Sequence, residues 1–225
     1  VKQLLKQKKI AVNGKKETVG KLQIDPAKDQ VTFMGEDLVH ETFVYYLLNK
    51  PAGVISATED DHHQTVLDLL DETARHKEVF PVGRLDIDTR GLLLLTNNGK
   101  LAHAMLSPKK HVDKVYRAHV AGIMTQEDVV RFKAGIELKD FTTLPAELEI
   151  LEVDQEAKTC LVQIRIAEGK FHQVKRMVAA CGKEVVDLER ISMGPLSLDP
   201  TLELGEWRRL KPSELASLEA FGVPL

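Results

Sequence analysis

The spacing of apolar and polar positions changes several times along the 225 residues, and each change marks an element. Ile10 and Val12 precede Asn13-Gly14, a strong two-residue hairpin signal. Residues 10–34 therefore read as short β-segments around a turn. Before them, Lys2 to Lys9 reads as the end of a basic helix whose first part lies outside the chain. Residues 35–42 are polar, and Phe43 to Leu48 then opens an aromatic and aliphatic strand. A boundary near residue 40 follows, with a small domain over 1–40 and a larger one over 41–225.

Within the larger domain, Thr65 is placed to cap a helix through Leu67 and Leu70, and Thr125 with Asp128 to cap one ending near Gly135. Leu92 to Thr96 has no polar interruption until Asn97-Asn98-Gly99, which predicts a strand buried on both faces and closed by a turn. Ala146–Val153 and Thr159–Ile166 flank the polar stretch Asp154–Lys158 as an antiparallel hairpin, with Cys160, Val162, Ile164 and Ile166 on one face. After Gly169 the period becomes helical. Val174, Met177, Val178 and Cys181 form the apolar stripe, His172, Lys175, Arg176 and Ala179 lie on a second stripe, and Gly182 is the stop. Strands and helices mix without a repeating βαβ unit. The fold class expected is α+β, with a mixed, largely antiparallel sheet and flanking helices.

Composition narrows the function classes. A hydrophobic content of 43% excludes a disordered chain. No apolar run approaches the roughly 20 residues of a membrane span, and no secretory leader is recognisable. With only Cys160 and Cys181 and no Cys-x-x-Cys, the reading is a cytoplasmic protein with core thiols and no zinc site. Adjacent His62-His63 lacks the ligand cluster a metal needs. The net charge of −3 hides a segregation: Val1–Lys21 carries seven lysines against one acid, and Lys100–Arg117 is also basic. Acids gather in Glu59–Glu78 and beyond Gly182. A basic face able to meet phosphates is compatible with an acidic average, as is a set of solvated surface lysines.

The segment Pro81–Gly99 sets a polar loop holding Arg84, Asp86, Asp88 and Arg90 directly against the apolar strand. A rigidly mounted carboxylate can serve as nucleophile or general base, with a neighbouring cation favouring its ionised form. It can equally cap a turn or pair with one of the arginines.

Several separated motifs, in order, resemble the RsuA-like group of bacterial ribosomal RNA pseudouridine synthases. They are Leu48-Asn-Lys-Pro-Ala-Gly53, Gln64–Leu70, Gly83-Arg-Leu-Asp-Ile-Asp-Thr-Arg-Gly-Leu92, Lys114-Val-Tyr116 and Glu168-Gly-Lys-Phe-His-Gln-Val-Lys-Arg-Met177. The resemblance spans essentially the whole chain and implies a pseudouridine synthase domain preceded by an S4-like RNA-binding domain lacking its first helix. It implies Asp86 as the catalytic aspartate, Tyr116 as the ring against the uracil, and Lys175 as the cation paired with Asp86. It further implies Arg84 as the residue that displaces the target nucleotide and Ile166 as an aliphatic wall of the pocket. His172 and Arg176, with Lys8, Lys9 and Lys15 of the small domain, are expected to contact RNA. Arg90 stands where a small hydroxyl residue is commoner in the family, so it adds a phosphate contact or has no role. The implied reaction detaches a flipped-out uracil, turns it and rejoins it through carbon, without cofactor or metal. Whether the aspartate attacks ribose or ring is open at this level. Ser107–Tyr116 and Ile87–Thr89 look closer to the small-subunit enzymes, which makes 16S rRNA or a small-subunit assembly intermediate the expected partner and uridine 516 the expected target. With no dimerisation heptad, a monomer is expected. The rivals are a 23S rRNA enzyme, a non-catalytic ribosome-binding factor and an N-glycosylase using Asp86 and Asp88 as a pair.

Overall fold

The computed structural model describes Val1–Leu225 and divides into two compact units, Val1–Thr42 and Phe43–Leu225. In the smaller unit a short helix α1 (Lys2–Lys6) precedes strands β1 (Ile10–Val12), β2 (Lys15–Lys16), β3 (Val31–Phe33) and β4 (Glu36–Asp37). All pairs are antiparallel, in the order β2-β1-β3-β4. The hairpin turns on Asn13 and Gly14, both at positive φ (49° and 77°), as the tightest hairpin turn requires. Asn13 also ties the turn to the return strand: its Nδ2 donates to Asp29 and its Oδ1 accepts from the Gln30 amide, each at 2.9 Å. Leu5 and Val12 are the buried residues of this unit, and Lys8, Lys9 and Lys15 are exposed.

The larger unit runs β5 (Tyr45–Lys50), a 3-10 helix (Val66–Leu69), α2 (Glu72–His76), β6 (Phe80–Pro81), β7 (Arg90–Thr96), α3 (Gly99–Leu106), β8 (Lys114–Ala121) and α4 (Gln126–Ala134). It continues with β9 (Glu147–Asp154), β10 (Thr159–Ile166), α5 (Gln173–Ala180), β11 (Glu184–Met193), β12 (Leu196–Ser197), β13 (Trp207–Arg209) and α6 (Pro212–Leu218). Nine strands form one sheet with the spine β13-β5-β7-β11-β8-β10-β9, while β6 pairs with β7 and β12 with β11. Every pair is antiparallel except β7 with β11. The α+β expectation therefore holds, with one parallel contact at the centre.

The uninterrupted run in β7 is explained by cover on both faces. Leu93 and Leu95 join Tyr46, Leu48, Phe132, Val174, Met177 and Val178 in one core, packed with α2, α4 and α5. Leu92 and Leu94 join Tyr45, Leu47, Leu101, Met105 and Leu218 in a second, packed with α3 and α6. Alternate side chains of one strand thus feed two cores.

Two local expectations change. Thr65 does cap a helix, with Asp68 completing the reciprocal box, but the segment winds as a single 3-10 turn and ends at Leu70. Arg90, left open by sequence, is engaged within the sheet. Its guanidinium forks onto Asp187 (Nε 3.0 Å, Nη2 2.6 Å) and reaches Glu189, fastening β7 to β11. The parallel contact also demands Gly91, at φ 101°, where an added Cβ would lie 2.3 Å from the Arg190 carbonyl oxygen. Gly91→Ala is expected to cost about 2 kcal/mol or more, lowering Tm by at least about 4 °C in thermal denaturation. Wild-type stability in that variant would refute the close approach.

Candidate active site

The loop between β6 and β7 carries Arg84, Asp86 and Asp88, and its backbone is held by side chains from elsewhere in the chain. Lys50, at the end of β5, has no exposed surface. Its Nζ donates to the carbonyls of Pro51 (3.0 Å), Asp86 (3.1 Å) and Thr89 (2.8 Å), and lies 3.4 Å from that of Ile87. Ser56 clamps Leu85 from both sides, its Oγ donating to the carbonyl and accepting from the amide at 3.0 Å each. The Gly53 amide donates to the Ile87 carbonyl and the Thr89 amide to that of Asp86. Burial pushes the Lys50 pKa down to about 8, and the nearby Asp88 and Asp86 carboxylates oppose that shift. The ammonium is still the main form at neutral pH. The sequence reading did not single out Lys50, because an isolated lysine in a strand gives no sign that its tip meets carbonyls from a loop 36 to 39 residues away.

Above this loop, α5 brings up two basic side chains. Lys175 Nζ lies 3.1 Å from Asp86 and donates to Asp88 at 2.6 Å, so one ammonium bridges both carboxylates. Burial works against that ammonium, but its hydrogen bonds to Asp88 and Asp86 outweigh burial and hold its pKa above the ordinary lysine value. The same hydrogen bond from Lys175 holds the Asp88 carboxyl below the usual range. His172 Nε2 lies 3.4 Å from Asp86. His172 is the left-handed residue (φ 49°) that starts α5, and its ring stacks on the exposed Phe171 with centroids 3.7 Å apart. The Lys170 amide is closed by the Gln173 side chain at 3.0 Å, which fixes the helix start.

Tyr116 and Ile166 enter from the sheet. On β8, Lys114, Tyr116, Ala118 and Val120 are buried while Arg117 and His119 face out. Antiparallel pairing sets Ile166 of β10 opposite Lys114 and Arg190 of β11 opposite Tyr116, so these four belong to one sheet face. Arg84, Asp86, Tyr116, Ile166, His172 and Lys175 all line a single cavity of about 470 Å³, a size suited to a small organic group. Arg176 does not line it. One turn along from His172, it pairs with Asp140 and stacks over Phe141 at 5.3 Å. Lys8, Lys9 and Lys15 belong to the other unit.

Lys114, Lys170 and Arg190 also line the cavity, and two of these cations are buried without a role assigned from sequence. Lys114, counted there within a basic surface stretch, is in fact 8% exposed, and Arg190 is 2% exposed. Their alternation with apolar neighbours along β8 and β11 was the available signal. The cavity thus brings the Asp86 and Glu168 carboxylates together with an aromatic ring, an aliphatic side chain and several cations. That arrangement can hold a flat, oxygen-rich group against Asp86.

Comparison with known proteins agrees. The family model for RNA pseudouridylate synthase matches residues 44–180. The chain is 45% identical over 216 residues, 96% of its length and 90% of the relative's, to the uncharacterized RNA pseudouridine synthase YtzG of Bacillus subtilis. It is 39% identical to ribosomal large subunit pseudouridine synthase B of Bacillus subtilis, covering 97% of this chain and 88% of that one. Identity to ribosomal small subunit pseudouridine synthase A of Yersinia pestis is 37%, covering 96% and 90%. The crystal structure of a pseudouridylate synthase superposes with a TM-score of 0.72 at 36% identity, covering 96% of this chain and 91% of that one.

Replacing Lys50 by Met leaves the loop carbonyls without their shared donor. A loss of about 2–3 kcal/mol is expected, with faster amide hydrogen exchange at Ile87 and Thr89 than in wild type. Unchanged exchange there would show that the loop is held by other means.

Proposed function

Because the chain belongs to the RNA pseudouridylate synthase family, we propose that it isomerises a uridine of 16S ribosomal RNA to pseudouridine, at position 516. The observation that carries this reading is the Asp86 carboxylate, set between Lys175 and His172 at a cavity also lined by Tyr116. In this reading Asp86 is the nucleophile. Lys175, 3.1 Å away, holds that carboxylate in position for attack. Tyr116 offers a flat face against which a detached uracil can turn without a covalent tether. Ile166 closes the side of the pocket with apolar surface.

The target must leave its helix before it can reach Asp86, and unstacking costs a few kcal/mol. Arg84, exposed on the rim, is suited to occupy the space left behind, and Phe171 with His172 adds a π-surface beside it. The small unit, with Lys8, Lys9 and Lys15 exposed, acts in this proposal as an S4-like RNA-binding domain that adds phosphate contacts. Large-subunit and small-subunit relatives stand at 39% and 37% identity, so identity does not favour one RNA over the other. The preference for 16S RNA rests on Ser107–Tyr116 and Ile87–Thr89, and the alternative is a uridine of 23S RNA.

Chemical mapping of pseudouridine by primer extension, on both ribosomal RNAs and free or assembled, tests this directly. One new site in small-subunit RNA, absent with Asp86→Asn, is the expected result. A site in large-subunit RNA alone would move the substrate, and no site on either would remove the enzymatic reading. Lys175→Met should lower the rate by about 100-fold or more while RNA affinity stays near wild type, and near-normal turnover would sink the ion pair's role. Changing Lys8, Lys9 and Lys15 together to Gln should weaken RNA binding and reduce the slope of log K against log salt by about 2–3. An unchanged slope would take the small unit out of RNA binding.

A further inference from the structure

The two buried cations of the cavity, Lys114 and Arg190, have no part in the carboxylate cluster. Lys114 Nζ has one partner, the Val112 carbonyl at 3.0 Å. Arg190 Nε donates to the Leu92 carbonyl at 2.9 Å, while its Nη2 is buried without any hydrogen-bond partner. Neither forms an ion pair. The acids that could have served are engaged: Asp113 pairs with Arg165 (3.3 Å), Glu168 accepts from the Leu144 amide (2.6 Å), and Asp86 faces Lys175 and His172. Unpaired buried cations are costly and need a reason. Lys114 also senses Arg190: burial first, and then that like charge, push its pKa down to about 8. Gly169, also on the cavity wall, packs beside this side chain: a Cβ built there would lie 3.7 Å from Lys114 Cε and 4.0 Å from Nζ.

Asp86 and His172, with side chains 28% and 40% exposed, sit nearer the mouth than Lys114 and Arg190, which form the floor beside Tyr116. Resting on the pseudouridine synthase reading, we propose that Lys114 and Arg190 bind the carbonyl oxygens of the flipped uracil and carry its negative charge while it is detached. Both side chains are donors only. Uracil presents acceptors at O2 and O4, whereas cytosine presents an amino donor at C4, so a floor of this kind selects uracil and turns cytosine away. The chemistry needs the same groups. When the N1–C1′ bond breaks, its electron pair stays on the base, and the charge spreads from N1 onto O2 and O4. Asp86 takes up C1′ as N1 leaves; C5 then bonds to C1′ as the C1′–O bond to Asp86 breaks and returns the carboxylate, the C5 hydrogen leaves as a proton, and N1 takes up a proton, which completes an isomerisation without added reactant. Donors fixed in a dry pocket stabilise such an anion more than they stabilise the neutral base, which lowers the barrier and not just the binding energy.

The test is a single-turnover assay of tritium release from RNA containing [5-³H]uridine, with RNA affinity measured in parallel. Lys114→Met and Arg190→Met should each slow the step by about 100-fold or more, with RNA affinity within about threefold of wild type. Lys114→Arg and Arg190→Lys, which keep donor and charge, should recover much of the rate. Met variants within threefold of the wild-type rate would overturn the proposal. Should a Met variant fail to fold, wild-type enzyme on RNA with 4-deoxyuridine at the mapped site decides. Loss of O4 should slow conversion by about 100-fold, and equal rates would overturn the assignment. Wild-type protein that releases no tritium from any ribosomal RNA refutes the parent reading, while an active wild type with indifferent variants refutes the floor alone.

Discussion

The structure of the site depends on one buried ammonium. Lys50 gives up its hydration, a loss offset by hydrogen bonds to carbonyl oxygens of the residues around it, among them Asp86 and Thr89, with the Asp86 and Asp88 carboxylates nearby. A neutral side chain in its place could not bind several carbonyls converging on one point, because they repel one another without a shared donor. The loop therefore keeps a shape that suits the lysine, and Asp86 inherits its position from that shape. Ser56 and Gly53 add contacts on the same backbone, so the carboxylate rides on a support made before any substrate arrives.

A second constraint comes from the central pair of strands. β7 and β11 approach closely only because Gly91 lacks a side chain, and Arg90 pins the same place through Asp187 and Glu189. This contact carries Arg190 into the cavity from beneath, on the strand beside Tyr116. The loop before β7 and the face of β8 and β11 are thus joined through a few residues, 90 and 91 on one strand and 187 to 190 on the other.

Charge is arranged with the same economy. The chain is net acidic by 3, yet Arg84, Lys114, Lys170, Lys175 and Arg190 line the cavity against Asp86 and Glu168. The basic lining of the cavity is therefore local, set within a chain whose overall balance is acidic. Lys175 lies between the two carboxylates of the loop, and its hydrogen bond holds the Asp88 carboxyl below the usual range. Asp88, held mostly in solvent, competes for that ammonium and leaves Asp86 the longer contact.

Much of this was legible in the chain alone. The strand over Leu92–Leu95, the hairpin from Ala146 to Ile166, the caps at Thr125 and Thr65 and the stripe on α5 follow from short-range spacing, because turn chemistry and side-chain period act over a few residues. The motif around Asp86 and its pairing with Lys175 could be named from resemblance. What the sequence could not fix was which charged residues would be buried. Lys50, Lys114 and Arg190 look like ordinary basic residues, and Arg90 looked free for phosphate. Their roles depend on carbonyls and carboxylates up to about a hundred residues away, such as Leu92 for Arg190 and Asp187 for Arg90. Burial of a charge is decided by long-range strand pairing and by the cavity that pairing leaves, so only the tertiary structure could assign it.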